Sequence, residues 1–480
     1  MNYFYKSILG ISCAALICMQ GCTTSADGLP ITFPGQEDKT DFDSLSLDAQ
    51  ELVYTRALLD IYYVNADKEL KDFEDYYQKG ASKGFPATHY EFPDVQYMFS
   101  TLSDNYTRYF SPAYAAQILN MLVYSEESID LGVDVKEVEV PDCDGEEDCD
   151  ETRTAIVLKH VYPEAPAEKA GMKAGDTVVS VDGIGIQTEN AFQKLSNGKD
   201  GEEIKVVVKR GEEELTYKAK LESYLAPSVF VDYEDSIPVI TITEYIDTTY
   251  MSTGTYGEFI KAIKETAGAE ATIIDLRGNP GGSIPQCMDM TAELLHKDDT
   301  LAIMISHDID ENWEKKYVDT LTWIAEEDGL AKDRYFVFLA DTGSASCSEL
   351  MLVGVTSNTK SPIVGLTTYG KGIGQTYTGT YAGGIAGITS MRMFDKDWKI
   401  YHRFGFEPDY VEGDPVKAME IAVKLAKEKK AVRTKGYGTE DTGHFTLAKS
   451  HANSTTPERG GAFVIDRKIS KMQGKAFPHK

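Results

Sequence analysis

The sequence predicts a multidomain α+β chain with a helical N-terminal segment, a β-rich module and a larger βα core. Three observations carry this. Two apolar strand-like runs, residues 271–276 and 335–340, each lead into a turn of glycines or small residues. Each turn is followed by an apolar helical run, residues 288–295 in one case and a run opening at Leu350 in the other. A strand, a tight turn and a helix make the repeating unit of a βα core. Between residues 131 and 211, apolar β-branched runs are divided by Gly- and Pro-containing turns, the pattern of a small β-rich domain. Upstream, residues 48–63 place Leu52, Leu58, Leu59 and Tyr62 at helical spacing.

Taken in order, the chain opens with Lys6 and an apolar run over residues 8–19. That run is too short to span a bilayer and has the length of a secretory signal peptide. It ends at Met19-Gln20-Gly21-Cys22, which resembles a bacterial lipoprotein signal. The resemblance implies that Cys22 is lipidated and becomes the first residue of the mature chain; cleavage near Gly21 with Cys22 left free is the alternative. Residues 1–21 are read as the signal and 22–47 as a tether rich in Thr, Ser, Gly, Pro and Asp. The expected location is the bacterial cell envelope, lipid-anchored at the periplasmic face of the outer membrane or at the cell surface. The helical segment follows over 48–124, the β-rich module over 125–223 and the core over 224–430. Asp414-Pro415, followed by Val416, Met419, Ala422 and Leu425, reads as a capped amphipathic helix. Residues 431–480 are polar and irregular, a flexible tail or appended element. The balance of 48 basic against 77 acidic residues, net −29, argues against nucleic acid as a partner, because phosphates need a basic footprint.

The chemistry concentrates in two segments. Ser346 lies in Ser344-Ala345-Ser346-Cys347-Ser348-Glu349, between an apolar strand and an apolar helix. There, free N–H groups and the helix dipole favour developing negative charge. Lys371 lies in Gly370-Lys371-Gly372. A serine hydroxyl needs a base to become a nucleophile, and a lysine is that base only if burial or charge lowers its pKa. Gln375 stands four residues on; in a strand, positions 371 and 375 share a face.

These segments resemble the C-terminal processing peptidases, the tail-specific serine proteases of peptidase family S41. The resemblance implies a catalytic Ser346, Lys371 as base and Gln375 assisting it. It also implies a core related to the crotonase-like βα superfold. The family's Asp-Leu-Arg-x-Asn-x-Gly-Gly turn stands here at residues 275–282. It implies backbone oxyanion donors at Gly281 or Gly282 and at Cys347. Asp275 and Arg277 are expected as a structural ion pair, and Ser344 and Ser348 as packing or capping groups. Residues 102–109 and 405–409 resemble the family's lead-in and closing turn. One departure is the absence of an acid over residues 351–358, where some members carry one on the nucleophile helix.

The β-rich module, with Leu131-Gly132-Val133, Ala165-Pro166 and the strand over 204–208, is similar to a PDZ domain. That similarity implies peptide capture by strand addition, with the Leu131-Gly132-Val133 turn holding a terminal carboxylate on its N–H groups. The partners expected are therefore polypeptide substrates with free C-termini, and the lipid bilayer through Cys22. Cys143 and Cys149 sit in an acidic loop and are candidates for a small disulfide in an oxidising compartment. The loop's acids miss the EF-hand spacing, so a solvated loop is preferred to a calcium site. Cys287 and Cys347 are read first as small buried packing residues, with a disulfide between them the weaker reading. No His/Cys cluster has zinc spacing, and neither metal nor cofactor is expected. His296, His307 and His402 leave a Ser/His/Asp arrangement open, though the Ser/Lys/Gln set is preferred. Two other functional classes stay in view: a catalytically silent PDZ-bearing lipoprotein, and a crotonase-type acyl enzyme that does not use Ser346 as a nucleophile.

Overall fold

The computed structural model describes residues 42–88, 90–141, 152–309, 316–429 and 463–465, which fall into two compact units. The smaller takes Tyr124–Ser228 together with Ile246–Glu258; the larger takes the rest. Cys22, Cys143, Cys149, the signal segment and nearly all of the tether lie outside the described residues.

The larger unit begins with α1 (Leu47–Tyr62), α2 (Pro93–Ser100), β1 (Arg108–Phe110) and α3 (Ala115–Val123). Ser46 caps α1, its side chain accepting the Ala49 N–H at 3.3 Å. Leu52, Leu58 and Leu59 of α1 are buried with Val95 and Met98 of α2 and with Ala386 and Ile388 far along the chain. β1 pairs with residues 385–387. The helical segment, expected as a body of its own over 48–124, therefore shares a core with the βα part. Its short helices carry apolar stripes that need another layer to cover them.

The smaller unit contains β2 (Val133–Pro141), β3 (Thr152–Val161), β4 (Thr177–Val181), α4 (Glu189–Ser196), β5 (Glu203–Arg210) and β6 (Glu213–Lys220). The strands are antiparallel in the order β2-β3-β4-β5-β6. Ile204, Val206 and Val208 alternate inward along β5 to meet Ile156, Leu158 and Val178. The boundaries expected at 125–223 are redrawn, since residues 224–228 and 246–258 also belong to this unit.

The rest of the larger unit runs β7 (Val229–Glu234), β8 (Ile237–Ile242), α5 (Gly254–Glu265, of which only residues 259–265 belong to this unit), β9 (Ala271–Asp275), α6 (Ile284–Ala292), β10 (Thr300–Ile309) and β11 (Lys316–Ile324). It continues with β12 (Tyr335–Ala340), α7 (Cys347–Asn358), β13 (Ile363–Gly365), β14 (Ile373–Gly379), β15 (Ile385–Phe394), β16 (Tyr410–Val411), α8 (Pro415–Glu428) and β17 (Phe463–Ile465). One sheet has the order β7-β8-β9-β12-β13-β16 and is parallel from β8 onward. Val239, Ile273, Val337, Leu339 and Val364 on one face pack against Ala418, Ala422 and Leu425 of α8. Every residue of β9 is buried. Strands covered on both faces lose the apolar–polar alternation, which is why neither run shows it. The second sheet has the order β11-β10-β15-β14-β17, with β1 also on β15. The tail thus supplies an edge strand, β17, lying parallel to β14 with Phe463 opposite Gln375.

Candidate active site

β9 and β12 are parallel neighbours in register from Ala271↔Tyr335 to Asp275↔Leu339. The turns that leave their C-terminal ends therefore emerge side by side, the usual place for a site in a parallel sheet. The two turns are laced together. Asn279 O accepts the Ala345 N–H at 3.0 Å and the Ser348 hydroxyl at 3.0 Å. Leu276 O accepts the Ser344 hydroxyl at 2.8 Å, and the Gly278 N–H donates to Asp341 Oδ1 at 2.9 Å. Ser344 and Ser348 hold one turn to the other. Asp275 and Arg277 form the expected ion pair at 2.6 Å, and Arg277 also donates to Pro415 O at 3.0 Å.

Ser346 is the N-cap residue of α7 and is fully buried, with φ +57° and ψ −110°. A serine in that region is strained and needs surrounding bonds to hold it there. Glu349 supplies them. Its Oε2 accepts the Ser346 N–H at 2.9 Å and the Lys371 N–H at 2.7 Å. Its Oε1 accepts the Thr368 hydroxyl at 2.6 Å and the Gly370 N–H at 2.7 Å. Burial pushes the Glu349 carboxyl up, and the bonds from Thr368, Lys371, Gly370 and Ser346 oppose that rise. Two donors on each oxygen fill the acceptor capacity of an ionised carboxylate. The buried carboxylate thus ties the backbone of the candidate nucleophile to that of the candidate base. Glu349 was not singled out in the sequence except as a spacing mark. The signal was present, because Ser-x-x-Glu at a helix start is a capping box.

Lys371 is only 5 % exposed and Gln375 2 %, so the amine is almost wholly desolvated. Lys371 Nζ donates to Gln375 Oε1 at 2.9 Å, and Gln375 Nε2 donates to the Thr389 hydroxyl at 3.2 Å. Burial lowers the lysine to about 8, against weaker upward pulls from Asp104 and Glu349. An amine at that value is partly neutral near physiological pH and can accept a proton. The ring of Tyr106 lies over Nζ, 4.4 Å to its centroid, a contact that no local sequence pattern marks.

Of the two adjacent glycines in the 275–282 turn, Gly281 has φ +103° and a Cβ there would stand 2.8 Å from Ser346 Cβ. This places the turn directly against Ser346. The Gly281 N–H is spent on Asn279 Oδ1 at 2.8 Å. The N–H groups of Gly282 and Cys347 donate to no acceptor among the described residues. Between Gly281 and Gly282, the second is therefore the one left to pair with Cys347 as a donor. Cys287 and Cys347, read first as packing residues, form a disulfide with Cα atoms 5.7 Å apart. Pairing of β9 with β12 brings the starts of α6 and α7 within bridging distance.

His296 faces Asp328 and Asp333 at the surface, and His307 lies opposite Val318 in the β10–β11 pair. His402 Nδ1 accepts the Gly372 N–H at 3.2 Å, and burial lowers this imidazole to about 4. Among the described residues no cluster of metal-ligating side chains forms. In the smaller unit, Leu131, Gly132 and Val133 precede or open the edge strand β2. The Gly132 N–H donates to Asp130 Oδ1 at 2.6 Å and the Leu131 N–H to Leu195 O at 3.4 Å, so these two carboxylate-loop donors have internal partners.

Residues 239–412 match the family model described as peptidase family S41, and residues 130–221 match that of the PDZ domain. A probable CtpA-like serine protease of Staphylococcus haemolyticus strain JCSC1435 is 32% identical over 260 residues, covering 53% of this chain and 49% of that protein. The protein of the same name in Staphylococcus aureus strain COL is 29% identical over 259 residues, covering 52% of this chain and 49% of that protein. The chain spans about half the length of the curated relatives it matches. A solved photosystem II D1 C-terminal processing protease aligns over 80% of this chain and 98% of its own, at 17% identity and a TM-score of 0.46. The chain matches peptidase family S41 and the PDZ domain over separate segments, and Ser346, Lys371 and Gln375 all fall inside the S41 match.

Proposed function

We propose that this protein is a serine endopeptidase in which Ser346 is the nucleophile, Lys371 the base and Gln375 the group that orients the lysine. One observation carries the reading: a buried lysine, lowered to about 8, is bonded to Gln375 and tied through Glu349 to the backbone of Ser346. The Ser346 hydroxyl proton passes to neutral Lys371 as Oγ attacks the scissile carbonyl carbon. The resulting oxyanion is held by the N–H groups of Gly282 and Cys347. The ammonium returns the proton to the leaving amine and an acyl-enzyme remains. Lys371 then takes a proton from water, the hydroxide attacks the ester, and the proton goes back to Ser346 as the new carboxyl terminus leaves. Substrates are exported polypeptides, selected by a free C-terminus at Leu131, Gly132 and Val133 once the Leu131 and Gly132 N–H groups exchange Leu195 O and Asp130 Oδ1 for the carboxylate, and the enzyme is held at the envelope by a lipidated Cys22.

The test compares residues 23–480 with the Ser346→Ala version on an unfolded protein, with and without a blocked C-terminus. Cleavage by the first alone, dependent on a free C-terminus, is the expected result. Cleavage indifferent to the terminus removes the PDZ gate and keeps the peptidase. Cleavage that survives in Lys371→Ala overturns the Ser/Lys assignment.

A further inference from the structure

We propose that Tyr106, contributed by the N-terminal segment and lying outside the matched peptidase residues, is a positioning residue for Lys371: its ring fixes where the amine points and favours the ammonium over the free amine. The proposal rests on Lys371 acting as the base. Lys371 Nζ sits 4.4 Å from the ring centroid and 2.9 Å from Gln375 Oε1, so the amine is held by the ring and by the amide oxygen. An aromatic face attracts a cation and has little hold on a neutral amine.

Tyr106 is itself held. Its N–H donates to Asp104 Oδ1 at 2.8 Å and its hydroxyl to the Tyr369 hydroxyl at 3.0 Å. The same Asp104 accepts the Thr107 hydroxyl at 2.5 Å, and Thr107 Oγ1 accepts the Thr389 N–H at 3.0 Å. Thr389 in turn accepts Gln375 Nε2. Residues 104–107 therefore reach the amine twice, once through the ring and once through the support of Gln375. The other groups that act on the lysine are Asp104 and Glu349, which favour the ammonium, and Arg108, which opposes it. His402 is neutral above about pH 4, and the Tyr369 phenol is bonded to Tyr106.

The variants Tyr106→Phe and Tyr106→Leu separate the ring from the hydroxyl. In both, the rate at which a serine-directed fluorophosphonate labels residues 23–480 is followed from pH 5 to 10, using only the labelling that Ser346→Ala abolishes. Thermal melts check folding. Leucine keeps the pocket dry and removes the π face, so the acid limb of labelling should move down by roughly one pH unit. Phenylalanine should leave the limb in place, with rates within about twofold of the parent. A Leu profile that superimposes on the parent, or a Phe profile shifted as far as the Leu one, overturns the proposal. A second readout needs no chemistry at Ser346: the titration of the Lys371 ε-carbon by NMR, identified as the resonance missing in Lys371→Met. A midpoint unchanged by Tyr106→Leu overturns the proposal even in a protein that takes no label. Loss of serine-specific labelling in the parent, with the NMR shift present, instead overturns the peptidase reading alone.

Discussion

Glu349 and Lys371 set opposite demands on the same buried region. Glu349 is stable there because donors surround it. Glu349→Gln turns one acceptor oxygen into an amide that faces N–H donors. The expected cost is about 3 kcal/mol of stability and about a hundredfold loss of Ser346 labelling, checked by thermal melts and by probe kinetics. Lys371 has the reverse problem. Its folded value of about 8 lies below the ordinary 10.5, so below pH 8 the folded state bears a buried ammonium that the unfolded chain solvates freely. Stability should rise with pH between about 8 and 10.5, where the unfolded state holds the extra proton. Lys371→Met should therefore gain about 1–3 kcal/mol at pH 7 and lose that advantage towards pH 10.5, as denaturant titrations at both values will show. Ser346, Lys371 and Gln375 were legible in the sequence because each sits in a short local pattern. Glu349 was legible only as half of a capping box with Ser346, while its bonds to residues 368–371 and the contact of Tyr106 with Lys371 were not, because only folding brings those residues near.

The βα unit explains how turns of glycine and serine hold such a site. Gly282 has φ +146°, and a Cβ there would stand 1.9 Å from Tyr245 O. Gly282→Ala should cost about 3 kcal/mol or more and abolish Ser346 labelling, measured by melting and by probe. The parallel strands β9 and β12 were legible as apolar-rich runs without alternation, and α1 as a helical stripe. The partner of Cys347 was harder to read. Cys287 is 60 residues away in sequence, and only the register of β9 against β12 brings α6 beside α7.

At the scale of the whole molecule, the larger unit draws on segments from both the N-terminal helices and the tail. The N-terminal helices cover β15, and the tail strand β17 covers the edge of β14, the strand that carries Gln375. Sequence alone gave these parts separate boundaries, because an apolar stripe announces that it needs cover without saying what covers it. Removing residues 430–480 should leave β14 as an open edge, a template for pairing with another chain. The expected outcome is association that grows with concentration in light scattering, with a loss of roughly 1–2 kcal/mol from the missing cross-strand pairs.

A single oxygen atom, Glu349 Oε2, accepts the backbone N–H groups of both Ser346 and Lys371. Two parts of a machine located from separate references drift apart as small tolerances add along the path between them. Here both parts are located from one datum, so displacement of the carboxylate carries the backbones of Ser346 and Lys371 the same way. The spacing between them is insulated from breathing in the 24 residues of chain that separate them.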